Sequence, residues 1–342
     1  MIVNVTRRAV AALLITAFAA TPAPAQDAVA DFYRGKSVRV LIGFSPGGSS
    51  SIYAEILARY MGRHIPGNPN VVPQHMPGAG GLVVANYVAQ RSARDGTEFA
   101  ITSRTAAFEP LYGNTNAQFD PLKFNWVGNA NIENSTCIAW SSAPVKTARD
   151  LFTTEFVNGG TGSESLEVSI PKVLNRLADT KIRTVTGYPG STEILLALER
   201  GEVQGFCGIG WTFLKLRKAE WLREKKVNVL FQMAMAKHPD IPDVPLVQEL
   251  GKTPEARAIL DLLMAPQDMG RPFFAPQDTP ADRLAALRDA FAKTLKDPDF
   301  LREADRSGVE VQYTTGEAVH AVLRKAYAAP PELVKRTVEL LQ

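Results

Sequence analysis

The sequence predicts an α/β fold: mostly parallel sheets flanked by helices, divided into two lobes around a cleft. Three observations carry this. Apolar β-type runs alternate with helical patterns along nearly the whole chain. Four strand-to-helix turns are rich in Gly and Ser or Thr, two in each half. The 342 residues suffice for two domains of ordinary size.

The N-terminus comes first. Arg7 and Arg8 precede an apolar run, Ala9 to Ala20, and Ala23-Pro24-Ala25 supplies a small-residue cleavage site. A secretory signal peptide over residues 1–25, cleaved after Ala25, is therefore expected. The run is too short to span a bilayer, and no Cys follows it to take a lipid. The arginine pair also fits twin-arginine export. Without Arg7 and Arg8 the chain holds 36 basic and 35 acidic residues, which favours neither nucleic acid nor an anionic membrane.

Strand-like runs follow at Val38–Phe44, Asn70–Met76, Glu98–Ser103, Trp126–Ala130, Cys137–Ser141, Thr154–Asn158, Ile182–Thr186, Val203–Ile209 and Val227–Met233. Between them, Ile52, Tyr53, Ile56, Leu57, Tyr60 and Met61 form a broad apolar helical stripe. Leu82 to Ala89 reads as a helix after a glycine turn, and Ile194, Leu195 and Leu198 as another closed by Gly201. From Pro280 onwards the chain looks helical, with Leu284, Leu287, Phe291 and Leu295 on one face.

Gly43-Phe44-Ser45-Pro46-Gly47 spells the G-x-S-x-G of a hydrolase elbow between a strand and a helix. The elbow needs the backbone N–H after its serine, and Pro46 has none. No recognisable acid and histidine partners follow, and no metal-protease, P-loop or dinucleotide motif appears. Hence no catalytic residue, metal or cofactor is expected, and an exported serine hydrolase using Ser45 is a remote alternative. What such a loop does well is bind. Gly47 and Gly48 admit close approach, while Ser49, Ser50 and Ser51 set hydroxyls beside unpaired N–H groups at a helix start. "MPGAGG" from Met76, "NGGTGSES" from Asn158 and "GYPGSTE" from Gly187 repeat the device. A ligand at the carboxyl ends of parallel strands follows.

The stretches "VRVLIGFSPGGSSSIYAEILARYM", "VVPQHMPGAGGLVVANYVAQRSARDGTEFAI", "GYPGSTEILLALERGEVQGF" and "RPFFAPQDTPADRLAALRDAFAKTLKDPDFLREADRSGVEV" resemble the substrate-binding receptors of tripartite tricarboxylate transporters, the Bug or TctC family. The resemblance covers nearly the whole mature chain. It implies a periplasmic binding protein of the type II, Venus-flytrap kind. Such a protein captures a small organic acid and delivers it to integral-membrane permease subunits. A receptor of the same build reporting to a sensor kinase is the alternative, and a monomer is expected. The family grips a carboxylate with the first loop, here Phe44, Ser45, Gly47, Gly48, Ser49, Ser50 and Ser51. The glycine loop of the second lobe completes the grip, here Gly160, Thr161, Gly162 and Ser163. Gly78, Gly80 and Gly81 of the shared "PGAGG" turn shape the neighbourhood.

Departures from the family pattern bear on specificity. Ser51 stands where an Asp is common, Glu55 where an Arg is usual, and Tyr188-Pro189-Gly190 lacks a common Lys. Arg104, after the strand Glu98–Ser103 and beside Ser103 and Thr105, offers bidentate carboxylate binding. Trp211 offers an apolar wall, with packing in the core as the equal alternative. Together they suit an aromatic or longer aliphatic acid. The expected lobes are 26–134 with 248–342, and 135–247. For Cys137 and Cys207, a bridge in an oxidising compartment and two buried thiols stand equal.

Overall fold

The computed structural model describes residues 24–47, 49–162 and 165–342. Residues 1–23 of the expected export signal, Gly48 and Ser163 lie outside them, as does the side chain of Ser49. Eleven strands are described: β1 (Ser37–Ile42), β2 (Asn70–His75), β3 (Glu98–Ile101), β4 (Asn125–Asn129), β5 (Ser135–Trp140), β6 (Phe156–Gly159), β7 (Ile182–Val185), β8 (Gly205–Gly210), β9 (Val227–Met233), β10 (Pro272–Ala275) and β11 (Thr314–Thr315). The helices are α1 (Pro24–Tyr33), α2 (Ser49–Met61), α3 (Leu82–Gln90), α4 (Leu166–Ala178), α5 (Ser191–Glu199), α6 (Trp211–Arg217), α7 (Ala219–Arg223), α8 (Pro254–Met264), α9 (Ala281–Thr294), α10 (Pro298–Arg306), α11 (Gly316–Tyr327) and α12 (Pro331–Leu341).

Two sheets result, ordered β11-β4-β10-β3-β1-β2 and β7-β6-β8-β5-β9. Both are mixed. β1, β2 and β3 run parallel, as do β6, β7 and β8. In the first sheet β10 runs antiparallel to both its neighbours, β3 and β4, and β11 antiparallel to β4; in the second β5 runs antiparallel to both β8 and β9. Alternation then sorts each strand between two cores. Val38, Val40 and Ile42 of β1 face one core with α2 and α9, while Leu41 faces the other with Val84 and Val88 of α3. In the second sheet Cys137, Ala139 and Phe156 face a core with α4, whereas Ile138, Val157 and Phe206 face α5. Being buried on both faces explains the continuous apolar runs.

The chain crosses between sheets at residues 130–134 and returns before β10. The crossings are stitched together. Ala130 N donates to Arg271 O at 3.0 Å and Glu133 N to Gln267 O at 2.9 Å. Asn129, fully buried, accepts from Arg271 N at 2.7 Å and donates to the Asn131 and Asp268 carbonyls. Val247, Leu250 and Ile259 belong to the second-sheet core, and α12 packs on α4 and α8 with Leu340 buried there. The segments after residue 247, expected in the first lobe, therefore serve both.

On the first sheet's outer face, Asp297 caps α10 by accepting from Asp299 N, and also holds Arg63 and His64. Burial pushes its carboxyl up, but the His64, Arg63 and Asp299 hydrogen bonds outweigh that and hold it at about 2, against an ordinary 3.8. A depressed carboxyl stabilises the fold fully above its unfolded value and loses that contribution as pH falls through the folded one. Urea unfolding should therefore show Asp297→Asn less stable than wild type at pH 6, with the gap closing between pH 4 and 2. A gap independent of pH would contradict the assignment.

Candidate functional site

The carboxyl ends of β1, β2 and β3 form one corner. Phe44 is half-buried there, and Ser45 and Gly47 are exposed. The "PGAGG" turn is structural. Gly81 is left-handed at φ 94°, and a Cβ on it would meet Thr102 Oγ1 at 2.4 Å. Ser103 donates to Gly80 O at 2.6 Å and Thr102 to Gly81 O at 3.0 Å, locking that turn onto the end of β3. Gly78 and Gly80 also take positive φ, and Thr105 is exposed.

Ser51 is not presented to a ligand. It is fully buried on the inner face of α2 and donates to Glu55 Oε1 at 2.5 Å. Glu55 also faces His75, whose Nε2 is 3.3 Å from Oε1, and His75 Nδ1 is 2.8 Å from the Phe44 carbonyl. That carbonyl only accepts, so Nδ1 donates. Glu55 thus ties α2, the end of β2 and the first loop together. Glu55→Ala should lower stability by about 1.5 kcal/mol, the low end for hydrogen bonds to a partly exposed charge. Glu55→Gln, which keeps an acceptor, should lose less than half of that in urea unfolding. Equal losses would show the pairing to be unimportant.

In the second sheet, Gly160 is buried after β6, where a Cβ would meet Val168 Cγ2 at 2.5 Å. Thr161 donates to Glu167 Oε1 at 2.6 Å, and Gly162 is exposed. Tyr188 packs partly buried against the core that contains Trp211. Trp211 itself is buried, with Nε1 donating to Asp240 at 3.1 Å. Cys137 and Cys207 sit directly opposite on β5 and β8 and are joined by a disulfide.

A cavity of about 270 Å³ lies between the sheets, at the crossings. Among the described residues, Trp211 is the one candidate binding residue from the sequence that lines it. The rest of its wall includes Tyr53, Asn131, Glu133, Asn134, Thr212 and Arg271. Glu133 is the hub. Arg271 Nη1 lies 2.8 Å and Arg104 Nη1 3.5 Å from the same Oε1. Burial draws the Arg104 guanidinium below its ordinary range; Glu133 opposes this and Arg271 adds to it. An arginine remains charged there all the same. Two cations on one carboxylate leave a formal +1 among the three. The Tyr53 ring lies 5.3 Å from the Arg271 guanidinium, and Tyr53 donates to the Glu310 carbonyl. Thr212 of α6 donates to the Glu310 carboxylate, joining the two lobes. Arg104 was visible as a charge at a strand end. Glu133, Arg271, Asn131 and Glu310 had no motif to announce them.

A family model described as the tripartite tricarboxylate transporter family receptor matches residues 61–336. The chain belongs to this family. The receptor is similar to a TctC solute-binding protein from Polaromonas, at 18% identity and a TM-score of 0.69, over 89% of this chain and 99% of that one. MatC from Rhodopseudomonas palustris, solved with bound malate, is 21% identical with a TM-score of 0.55, over 90% and 99%. A Cupriavidus necator protein of the gbd 5′ region is 25% identical over 314 residues, 90% of this receptor and 88% of that protein. The first two likenesses establish the shared two-lobed fold.

Proposed function

We propose that this receptor captures a small organic acid between its lobes in the periplasm. It then delivers the acid, chemically unchanged, to the membrane subunits of a tripartite tricarboxylate-type transporter. The observation that carries the reading is the Arg104–Glu133–Arg271 cluster, where two guanidiniums share one carboxylate beside a cavity that both lobes line. A carboxylate arriving there meets excess positive charge and a fork suited to two oxygens. We place the exposed first-loop positions Ser45 and Gly47, with Thr105 beside Arg104, at the first-lobe rim, outside the cavity wall itself. On the other lobe we place the Gly160-Thr161-Gly162 loop at the opposite rim, with Gly162 its exposed member. The malate held by a relative of the same fold supports an acid as the class of ligand.

Isothermal titration of the purified receptor with a panel of organic acids tests this. At least one should bind and be recovered intact, and Arg104→Gln should weaken it. Uptake of that labelled acid by cells should disappear on deleting the receptor and return with it. Conversion of the acid to product, or no binding across the panel, would end the proposal.

A further inference from the structure

We infer that the cavity at the crossings takes a monocarboxylic acid with a hydrogen-bond donor beside its carboxylate and an apolar arm. The inference rests on the receptor reading above and names its ligand class. Three independent features of the cavity wall point there.

Charge comes first. The charged side chains lining the cavity are Arg217, Arg271, Glu133 and Glu310, which cancel. Arg104, paired to Glu133 from outside the wall, brings the set to +1. One carboxylate neutralises this set, whereas two would leave it negative, with the second near Glu310. Polarity comes second. Asn131 lines the cavity at 6% exposure, and its buried Oδ1 has no hydrogen-bond partner among the described residues. Such an acceptor is costly unless something donates to it. Asn131 neighbours Arg271 across the stitched crossings, through the Ala130–Arg271 and Asn129–Arg271 bonds. A hydroxyl next to a carboxylate held by Arg271 meets that need. Shape comes third. Phe213 and Leu216, three residues apart on α6, remain 46% and 63% exposed, yet both line this cavity. Single exposed apolar side chains are ordinary, but a pair on one face of a ligand-sized hollow forms an apolar shelf.

Isothermal titration of the full receptor with 2-hydroxy-4-methylpentanoate, 4-methylpentanoate and malate tests the assignment. The hydroxy acid should bind at least tenfold more tightly than either of the others. Asn131→Leu should bring the two monoacids to equal affinity. Phe213→Ser combined with Leu216→Ser, both at exposed positions, should weaken both monoacids about tenfold and leave malate unchanged. Tighter binding of malate, or a hydroxyl advantage that survives Asn131→Leu, overturns the inference and leaves the receptor reading standing. No heat with any acid across the wider panel overturns both.

Discussion

Replacing Cys137 and Cys207 together by alanine is expected to lower the unfolding free energy by about 4 kcal/mol, the loop-entropy value for a long closed loop. The bridge spans a sequence separation of 70, and the enclosed chain carries β6, α4, β7 and α5. Unfolding without the bridge frees that segment to explore conformations otherwise denied to it. The folded state loses little, because β5 and β8 stay paired by their own backbone bonds. The two sulfurs are fully buried, so the alanines also leave a small void that adds to the loss. Urea unfolding of the double variant checks this, with reductant-treated wild type as its companion. A loss below 1 kcal/mol in both would mean that the bridge is absent or the unfolded chain already compact. Because neither cysteine lines the cavity, the folded variant should keep its affinity for acids.

The nine strands expected from sequence are present: most are apolar runs buried on both faces, while the edge strands β2, largely exposed, and β7, partly so, still carry β-branched residues, and both signals are independent of partners. β10 escaped because "PFFA" is only four residues, beginning on Pro272 and followed by Pro276, and its strand nature comes from antiparallel neighbours distant in sequence. α4 escaped because Pro171 lies inside it, where a proline normally argues against a helix. The antiparallel returns were invisible for the same reason as β10, so the sheets read as more parallel than they are. At the site, the hydroxyl run Ser49-Ser50-Ser51 looked uniformly available to a ligand. Helical periodicity decides otherwise: Ser51 shares its face with Ala54 and Ala58, both buried, and turns inward. Arg104 was legible from its place at a strand end. Its partners were not, since Glu133 and Arg271 meet only where two separate crossings are stitched side by side, and no local pattern encodes that meeting.

Glu133→Gln should move stability and ligand preference in opposite directions. In the free receptor the carboxylate holds two guanidiniums that otherwise repel, and glutamine of the same shape removes that compensation. Breaking a buried ion pair by removing one partner costs roughly 3–5 kcal/mol. These side chains are 14–26% exposed, so a loss of about 2 kcal/mol is the expected size. The same change raises the local charge from +1 to +2. A unit charge about 4 Å away is worth several kcal/mol at an effective dielectric near 20, and screening by water and salt reduces it further. Affinity for a dicarboxylate such as malate should therefore rise by about tenfold, a shift of roughly 1.4 kcal/mol. That gain should shrink as ionic strength increases, because it is Coulombic. Saturating acid should also raise the melting temperature more in the variant than in wild type, since the ligand supplies the charge that Glu133 no longer does. If Glu133→Gln instead weakens every acid to the same degree, the carboxylate positions the arginines rather than setting the charge that a ligand meets, and the +1 account of the crossing cluster fails.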